Sequence, residues 1–119
     1  IGISFKKVEY IKNVYDYFSK NKLNYKNYTD SELTKELTKI KGIGKWTTEM
    51  FLIFILHRKN IFSNGDLALI NSVKVNYNID NLSNKKLDNL KKSWSPHKTT
   101  ASLLLWKSIE EKIFFPKVN

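Results

Sequence analysis

The sequence predicts an all-α fold, a single bundle of helices over residues 1–119. Apolar residues recur at steps of three or four through most of the chain, and no alternating run is long enough to make a convincing strand. With 119 residues, of which 41% are hydrophobic, the chain has about the length of one domain and can bury a modest core.

The composition is strongly basic and lacks cysteine. Lys and Arg number 21 against 11 Asp and Glu, and the net charge of +10 favours a polyanionic partner such as nucleic acid or an acidic membrane surface. Without cysteine there is no disulfide, thiolate zinc site or iron–sulfur cluster, and the two histidines lie too far apart to suggest a metal site. The longest apolar run, "MFLIFIL" from Met50 to Leu56, is too short to cross a bilayer, and no signal peptide is expected. We therefore expect an intracellular protein.

The first two helices are predicted from their caps and apolar stripes. Ser4 can cap a first helix, and Thr29 with Glu32 has the spacing of a capping box for a second helix, which stops at Gly42. The apolar residues that share a face are Phe5, Val8, Ile11, Tyr15 and Phe18 on the first helix, and Leu33, Leu37 and Ile40 on the second. On each helix, the face that carries these apolar residues is expected to be buried.

Four further helices are expected. A third, from about Lys45 to Leu56, is apolar nearly all round and should run through the core, although "MFLIFIL" alone would also suit a buried strand. After the loop "NIFSNGD", Asp66 begins a fourth helix, "LSNKKLDNLKKSW" forms a fifth, and Ser95 caps a sixth whose first residue is Pro96. The apolar residues expected on these helices are Leu67, Ile70 and Val73 on the fourth, and Leu87 and Leu90 on the fifth.

Two glycines one residue apart join the second helix to the third in "LTKIKGIGKWTTEM". Gly42 and Gly44 can take positive φ in this tight turn, which also exposes backbone N–H groups where the dipole of the third helix favours an anion. Lys39, Lys41 and Lys45 cluster around the turn. Together these features describe a helix-hairpin-helix, which grips the DNA backbone without reading sequence. The alternative is a glycine corner that only terminates a helix, which is common for a lone pair of glycines.

Several longer stretches carry a resemblance to a known family. "KGIGKWTTEMFLIF", "IFSNGDLAL" and "WSPHKTTASLLLW" look like the helix-hairpin-helix superfamily of DNA base-excision glycosylases, specifically the type II 3-methyladenine-DNA glycosylases. The opening "GISFKKVEYI" is similar to the segment that begins the second half of their catalytic domain. The resemblance implies the C-terminal half of a catalytic domain that upstream helices complete. It also implies a DNA repair enzyme whose partner is double-stranded DNA with damaged bases.

The resemblance assigns roles to particular residues. Asp66, with Phe62 four positions before it, matches the catalytic aspartate, and Trp46 would line the pocket for the flipped base. Bifunctional members carry lysine at the position of Trp46, so a monofunctional enzyme is implied; Lys45 lies one residue away, a rotation of about 100° on a helix. The DNA contacts would be Lys39, Lys41, Gly42, Ile43, Gly44, Lys45 and Thr47. Hairpin carbonyls in this superfamily can hold a monovalent cation when DNA is bound, and no other cofactor or metal is expected.

Other interpretations remain open at this point. Without the family resemblance, Asp66 is equally well a helix N-cap and Trp46 a core tryptophan. Two features depart from the family pattern. Lys41 stands where the family often has a proline before the first hairpin glycine, and Asn64 and Gly65 stand where it usually has a Pro-Asp pair before the catalytic aspartate. The alternative functions are a non-catalytic DNA-binding module, a bifunctional lyase using another lysine, and a helical protein-interaction domain. Trp94 and Trp106 are expected in the core, and phosphate contact or plain solvation is expected for His57, Arg58, Lys98 and Thr99.

Overall fold

The computed structural model describes residues 5–21 and 24–114. These ranges contain six α-helices and one short 3₁₀ helix, with no strand, which confirms the predicted all-α class. The helices are α1 (Phe5–Asn21), α2 (Asp30–Thr38), α3 (Lys45–Phe54), α4 (Leu67–Tyr77), α5 (Asn84–Trp94) and α6 (Lys98–Glu111), and the 3₁₀ helix is Tyr25–Asn27. The predicted cap Ser4 and the side chains of Phe5 and Phe18 lie outside what is described.

The chain divides into two compact units, Ile1–Arg58 and Lys59–Asn119. In the first unit, α1 and α2 both pack against α3, and in the second unit, α6 packs against α4 and α5. Within the described ranges, no helix has both the length and the apolar character needed to span a bilayer.

Helix α1 buries a different face from the predicted one. Ile11 and Val14 are 8% and 0% exposed, whereas Val8 and Tyr15 are 51% and 56% exposed. The apolar residues of α1 allow two overlapping stripes, and packing selects the stripe that contains Val14. Since one residue on a helix is a rotation of about 100°, burial of Val14 turns Tyr15 towards solvent. The expectation that Val8 and Tyr15 are buried was therefore wrong.

Helices α2 and α3 begin where predicted but end earlier. Helix α2 ends at Thr38, so Ile40, expected on its buried face, follows the helix and is only partly buried, and α3 ends at Phe54. The capping box is present: Glu32 N–H donates to Thr29 Oγ1 at 3.1 Å, and Thr29 N–H donates to Glu32 Oε1 at 2.9 Å. The hydrogen bond from the Thr29 backbone lowers the pKa of the Glu32 carboxyl. On α2, Leu33 and Leu37 are buried, and residues 47–53 of α3 are all buried. The prediction of a core helix is confirmed, and "MFLIFIL" lies mainly in that helix.

The second unit has its own apolar core. The buried members are Phe62, Leu69, Val73, Leu87 and Leu105, and the partly buried residues packed against them are Ile70, Leu82, Leu90, Trp94 and Trp106. Of the apolar residues predicted on the fourth helix, Val73 is buried and Ile70 partly buried, whereas Leu67, the first residue of α4, is 77% exposed. Leu69, two positions further along the helix, is buried instead.

Helix α6 begins later than predicted. Ser95 N–H donates to Lys91 O at 3.1 Å and therefore ends α5, while His97 is the N-cap of α6. Because the Ser95 N–H completes the last turn of α5, Ser95 does not cap the next helix and Pro96 lies between the helices. The prediction for both residues was wrong.

A seam of small polar side chains joins α4 to α6. Ser72 Oγ donates to Leu105 O at 2.6 Å, and Asn76 Nδ2 donates to Ser72 Oγ at 3.1 Å and to Ser108 Oγ at 3.0 Å. Ser72 and Ser108 are 0% and 4% exposed. The seam, Ser72, Asn76 and Ser108, therefore satisfies buried polar groups in an interface that is otherwise apolar.

Two residues expected at most to touch phosphate have structural roles. Arg58 Nη2 donates to Tyr25 O at 2.7 Å and to Tyr28 O at 3.0 Å, and its Nη1 pairs with Asp30 Oδ1 at 3.1 Å. These contacts tie the segment before α2 to the end of the first unit. Thr99 is 9% exposed, and its Oγ1 accepts a hydrogen bond from Ile61 N–H at 3.0 Å. Neither side chain is simply solvated.

Candidate nucleic-acid interface and active site

The turn between α2 and α3 contains one glycine in a left-handed conformation. Gly42 has φ +84°, as predicted, whereas Gly44 has φ −94° and ψ −178°, an extended conformation open to any residue. Ile43 N–H donates to Ile40 O at 3.0 Å within the turn. The prediction of positive φ is confirmed for Gly42 and wrong for Gly44, because Gly44 is already the N-cap of α3.

Glycine at position 44 is not required by crowding within the chain either. A Cβ built on Gly44 meets no heavy atom within 4 Å, and neither does one built on Gly42. The missing side chain therefore leaves open space in front of the first turn of α3. Glycine is acceptable at an N-cap, where it also leaves the first N–H groups uncovered by a side chain.

The start of α3 lacks the side-chain cap and the acidic residues that α2 has. Gly44 makes no side-chain cap hydrogen bond, and the first turn of α3 contains no acidic residue. Helix α2, by contrast, begins with the Thr29 cap and has Asp30 and Glu32 in its first turn. A helix N-terminus carries about half a positive charge, so the first turn of α3 favours an anion.

The hairpin lysines differ in their surroundings. Lys41 and Lys45 are exposed on either side of the turn. Lys39 is also exposed, but its Nζ lies 3.3 Å from Glu36 Oε2, which neutralises part of its charge. Lys41 and Lys45 are therefore the stronger candidates for contact with a polyanion.

Two of the predicted DNA contacts are buried. Ile43 and Thr47 are 6% and 7% exposed, so any contact they make with DNA is through the backbone. Trp46, the second residue of α3, is partly exposed and follows Lys45 directly.

Asp66 lies at the start of α4, in the second unit. It is the N-cap of that helix, and its Oδ1 accepts a hydrogen bond from Leu69 N–H at 3.0 Å. The capping role considered from the sequence is thus present. The residue remains partly exposed.

Trp106 supplies a second donor to Asp66. Its Nε1 donates to Asp66 Oδ1 at 3.2 Å, the same oxygen that caps α4. The sequence predicted a core position for Trp106 but not this contact. Forty residues separate the two positions, so no local spacing links them. The sequence could have indicated a contact of this kind only through the general rule that the N–H of a partly buried indole needs an acceptor.

Trp94 is the core residue that the sequence predicted. Its ring centroid lies 5.6 Å from that of Phe62, and its Nε1 donates to Tyr77 OH at 3.2 Å. In residues 5–21 and 24–114, no three or more Asp, Glu or His side chains are grouped in a way that could hold a metal ion.

The chain is similar in sequence to proteins named as DNA-3-methyladenine glycosylases. It is 40% identical over 82 residues to YfjP of Bacillus subtilis, whose name assigns it provisionally to the DNA-3-methyladenine glycosylases, covering 68% of this chain and 29% of that protein. It is 38% identical over 82 residues to DNA-3-methyladenine glycosylase 1 of Schizosaccharomyces pombe, covering 67% of this chain and 36% of that protein. The chain thus spans about a third of the length of these relatives. No protein-family model matches it.

A solved structure matches the fold. The crystal structure of a DNA-3-methyladenine glycosidase from Bacillus halodurans superposes with a TM-score of 0.68 at 34% sequence identity. The match covers 95% of this chain and 55% of the crystal structure's chain. The chain is therefore a homologue of one part of the DNA-3-methyladenine glycosylases.

Proposed function

We propose that this chain is the DNA-gripping and base-excising part of a monofunctional DNA glycosylase. The reaction is hydrolysis of the N-glycosidic bond of alkylated purines such as 3-methyladenine, with the damaged base flipped out of double-stranded DNA. The glycosylase names of the relatives support this proposal. Such a protein would act inside the cell, in the nucleus or in a bacterial nucleoid.

The start of α3 is the observation that carries the DNA-binding part of the proposal. It combines a glycine N-cap, open space in place of a Cβ, a first turn without acidic residues, and the exposed Lys41 and Lys45. A phosphate placed there would receive backbone N–H hydrogen bonds and lie close to both ammonium groups. None of these contacts depends on the bases, so the grip would be independent of DNA sequence.

A monovalent cation suits the chemistry of the same turn. Backbone carbonyl oxygens are hard ligands that bind hard cations. Two carbonyls of the hairpin are already engaged: Ile40 O accepts from Ile43 N–H at 3.0 Å, and Gly44 O accepts from Thr48 N–H at 3.1 Å. An ion held by carbonyls of this turn would add positive charge beside a bound phosphate.

Asp66 would supply the anion that the chemistry requires. Departure of the base builds positive charge on the deoxyribose, so a fixed carboxylate beside the sugar stabilises the transition state more than the ground state. At about 4 Å and an effective dielectric constant near 20, one such charge is worth roughly 4 kcal/mol, or about a thousandfold in rate. The bonds from Leu69 N–H and Trp106 Nε1 to Oδ1 would hold the carboxylate in place.

Trp46 would stack on the flipped base. An alkylated purine is electron-poor, and stacking on an aromatic ring contributes about 1–3 kcal/mol per base. A tryptophan cannot form the Schiff base of a lyase, and Lys45 is rotated about 100° from it on α3. The strand would therefore stay intact after base release.

The test replaces Asp66 by Asn. Asn is nearly isosteric and still caps a helix, so Asp66→Asn should fold normally while removing the anion. We expect the single-turnover rate of alkylpurine release to fall by roughly a hundred to ten thousandfold, bracketing the Coulomb estimate. DNA affinity should be unchanged or higher, because a negative charge near the phosphates is removed. Asp80→Asn, which removes an exposed carboxylate from the same unit, is the matched control.

The assay should be run on the 119-residue chain and on the chain joined to the part of the Bacillus halodurans protein that it does not cover. A folded, DNA-binding Asp66→Asn variant that excises at the wild-type rate would remove Asp66 from the mechanism. The second candidate, a non-catalytic DNA-binding module, is favoured by the capping role of Asp66. It predicts DNA binding without base release in either form, and at most about 1 kcal/mol loss of stability in the variant.

A further inference from the structure

The turn that leads into Asp66 has a buried base and an exposed tip. Asp66 N–H donates to Ser63 O at 3.2 Å, which closes a four-residue turn with Asn64 and Gly65 at its exposed tip. A Cβ built on Gly65 meets nothing within 4 Å. A contact made at this tip therefore bears on the direction in which the chain enters α4, in addition to the two hydrogen bonds that Asp66 Oδ1 accepts.

Lys91 on α5 provides that support. Its Nζ donates to Asn64 Oδ1 at 3.0 Å, which holds the tip of the turn. The same ammonium lies 5.9 Å from the centroid of the Phe62 ring and 4.0 Å from Asp88 Oδ1. The Lys91 side chain is only 18% exposed, whereas that of Asp88 is 62% exposed. The Lys91 side chain is therefore largely covered, and its ammonium reaches the exposed tip of the turn.

The base of the turn rests on fixed aromatic rings. Phe62, one residue before Ser63, is 6% exposed and packs on Trp94 with ring centroids 5.6 Å apart. The Trp94 indole is fixed in turn by its hydrogen bond to Tyr77 OH at 3.2 Å. Lys91 thus joins the tip of the turn to a platform that is already anchored in the core of the second unit.

We propose that Lys91 is a positioning residue for Asp66. It acts by holding Asn64 so that the turn presents the carboxylate at a fixed place. The inference rests on the proposed function for its kinetic consequence. An error of about 1 Å in the position of a catalytic group can cost on the order of a hundredfold in rate, so a loose turn would slow excision without weakening DNA binding.

The test compares Lys91→Met with Lys92→Met. Methionine keeps the apolar stem against Phe62 and removes the ammonium in the first variant. Lys92 is the exposed neighbour on the same helix, so its variant loses the same charge without touching the turn. For Lys91→Met we expect at least a tenfold fall in the single-turnover excision rate and faster amide hydrogen exchange at Asp66 N–H. Because each variant loses one positive charge, DNA affinity should fall equally in both.

Proline at position 64 provides a rescue. Asn64 is the second residue of the turn, where proline is favoured because its ring fixes φ near −65°. A turn stiffened in this way should no longer need the ammonium, so Asn64→Pro combined with Lys91→Met should recover most of the lost rate and the slow exchange at Asp66. A purely structural role of Lys91 in packing α5 would not be rescued by a proline in the turn.

The outcomes separate this inference from the proposed function. Equal excision rates and equal Asp66 exchange in the two lysine variants would overturn the positioning role. If the wild-type chain, alone and joined to the missing part, releases no base, the proposed function fails, and the exchange at Asp66 still decides whether Lys91 holds the turn. Loss of global stability in Lys91→Met without a local change at Asp66 would also count against the proposal.

Discussion

Alanine at each of the two hairpin glycines should separate folding from DNA binding. Gly42 has φ +84°, where a non-glycine residue costs about 1–2 kcal/mol, partly offset by about 0.4–1 kcal/mol from the less flexible unfolded chain. Gly42→Ala should therefore lower the free energy of unfolding by about 1 kcal/mol, or about 4 °C in melting temperature for a chain of this size.

Gly44→Ala should behave in the opposite way. At φ −94°, with nothing within 4 Å of the new methyl group, alanine introduces neither backbone strain nor a clash. The poorer N-cap and the entropic gain in the unfolded state nearly cancel, so stability should stay within about 0.5 kcal/mol of the wild type. If a phosphate docks on the first turn of α3, the methyl group pushes it away. Loss of one charge-assisted hydrogen bond, about 1.5–3 kcal/mol, would weaken DNA binding by about ten to a hundredfold.

Two measurements on the same samples separate these effects. Thermal unfolding, monitored by circular dichroism, gives the stability of each variant, and fluorescence anisotropy with an undamaged duplex gives its DNA affinity. Each glycine variant is the control for the other. If Gly44→Ala binds DNA within twofold of the wild type at equal stability, the open space in front of α3 is not a phosphate site, and the hairpin is only a helix corner.

Three further outcomes test the remaining roles. Replacing Lys41 and Lys45 by Ala should weaken binding to all DNA sequences alike and flatten the slope of log affinity against log salt by about 1–2 units; an unchanged slope would mean that both lysines are only solvated. By resemblance, bifunctional members carry a lysine at the position of Trp46, and tryptophan cannot form a Schiff base. Borohydride should therefore trap no enzyme–DNA adduct, whereas an adduct mapped to any lysine would show lyase activity. Trp106→Phe removes the indole donor to Asp66 and should slow single-turnover excision about tenfold at unchanged DNA affinity, whereas an unchanged rate would make that hydrogen bond irrelevant to excision.

The features that the sequence predicted correctly depend on short-range interactions. The capping box of Thr29 and Glu32 involves residues three positions apart, and the all-round apolar character of α3 requires burial whichever neighbours surround it. Gly42 also followed from local geometry, because a tight exit from α2 needs a residue at positive φ.

The features that the sequence did not predict depend on neighbours distant in the chain. The buried face of α1 is set by its packing on α3, and periodicity alone permitted Tyr15 as well as Val14. The hydrogen bond from Trp106 to Asp66 links positions 40 residues apart, and only the packing of α6 on α4 brings them together. Asp66 was identified as an N-cap candidate from its local sequence, but its second donor was not.

The α4–α6 seam limits how far the Asp66 carboxylate can be displaced. Apolar side chains tolerate sliding of one helix along another, but the hydrogen bonds of Ser72, Asn76 and Ser108 are directional, and a shift of α6 would break several of them at once. Asp66 begins α4 and Trp106 lies on α6, so the same register sets the distance between the indole and the carboxylate. Substitutions in the seam, well away from any DNA, should therefore act on the geometry of Asp66. Mutational tolerance in this region should follow hydrogen-bonding capacity at these three positions more closely than side-chain volume.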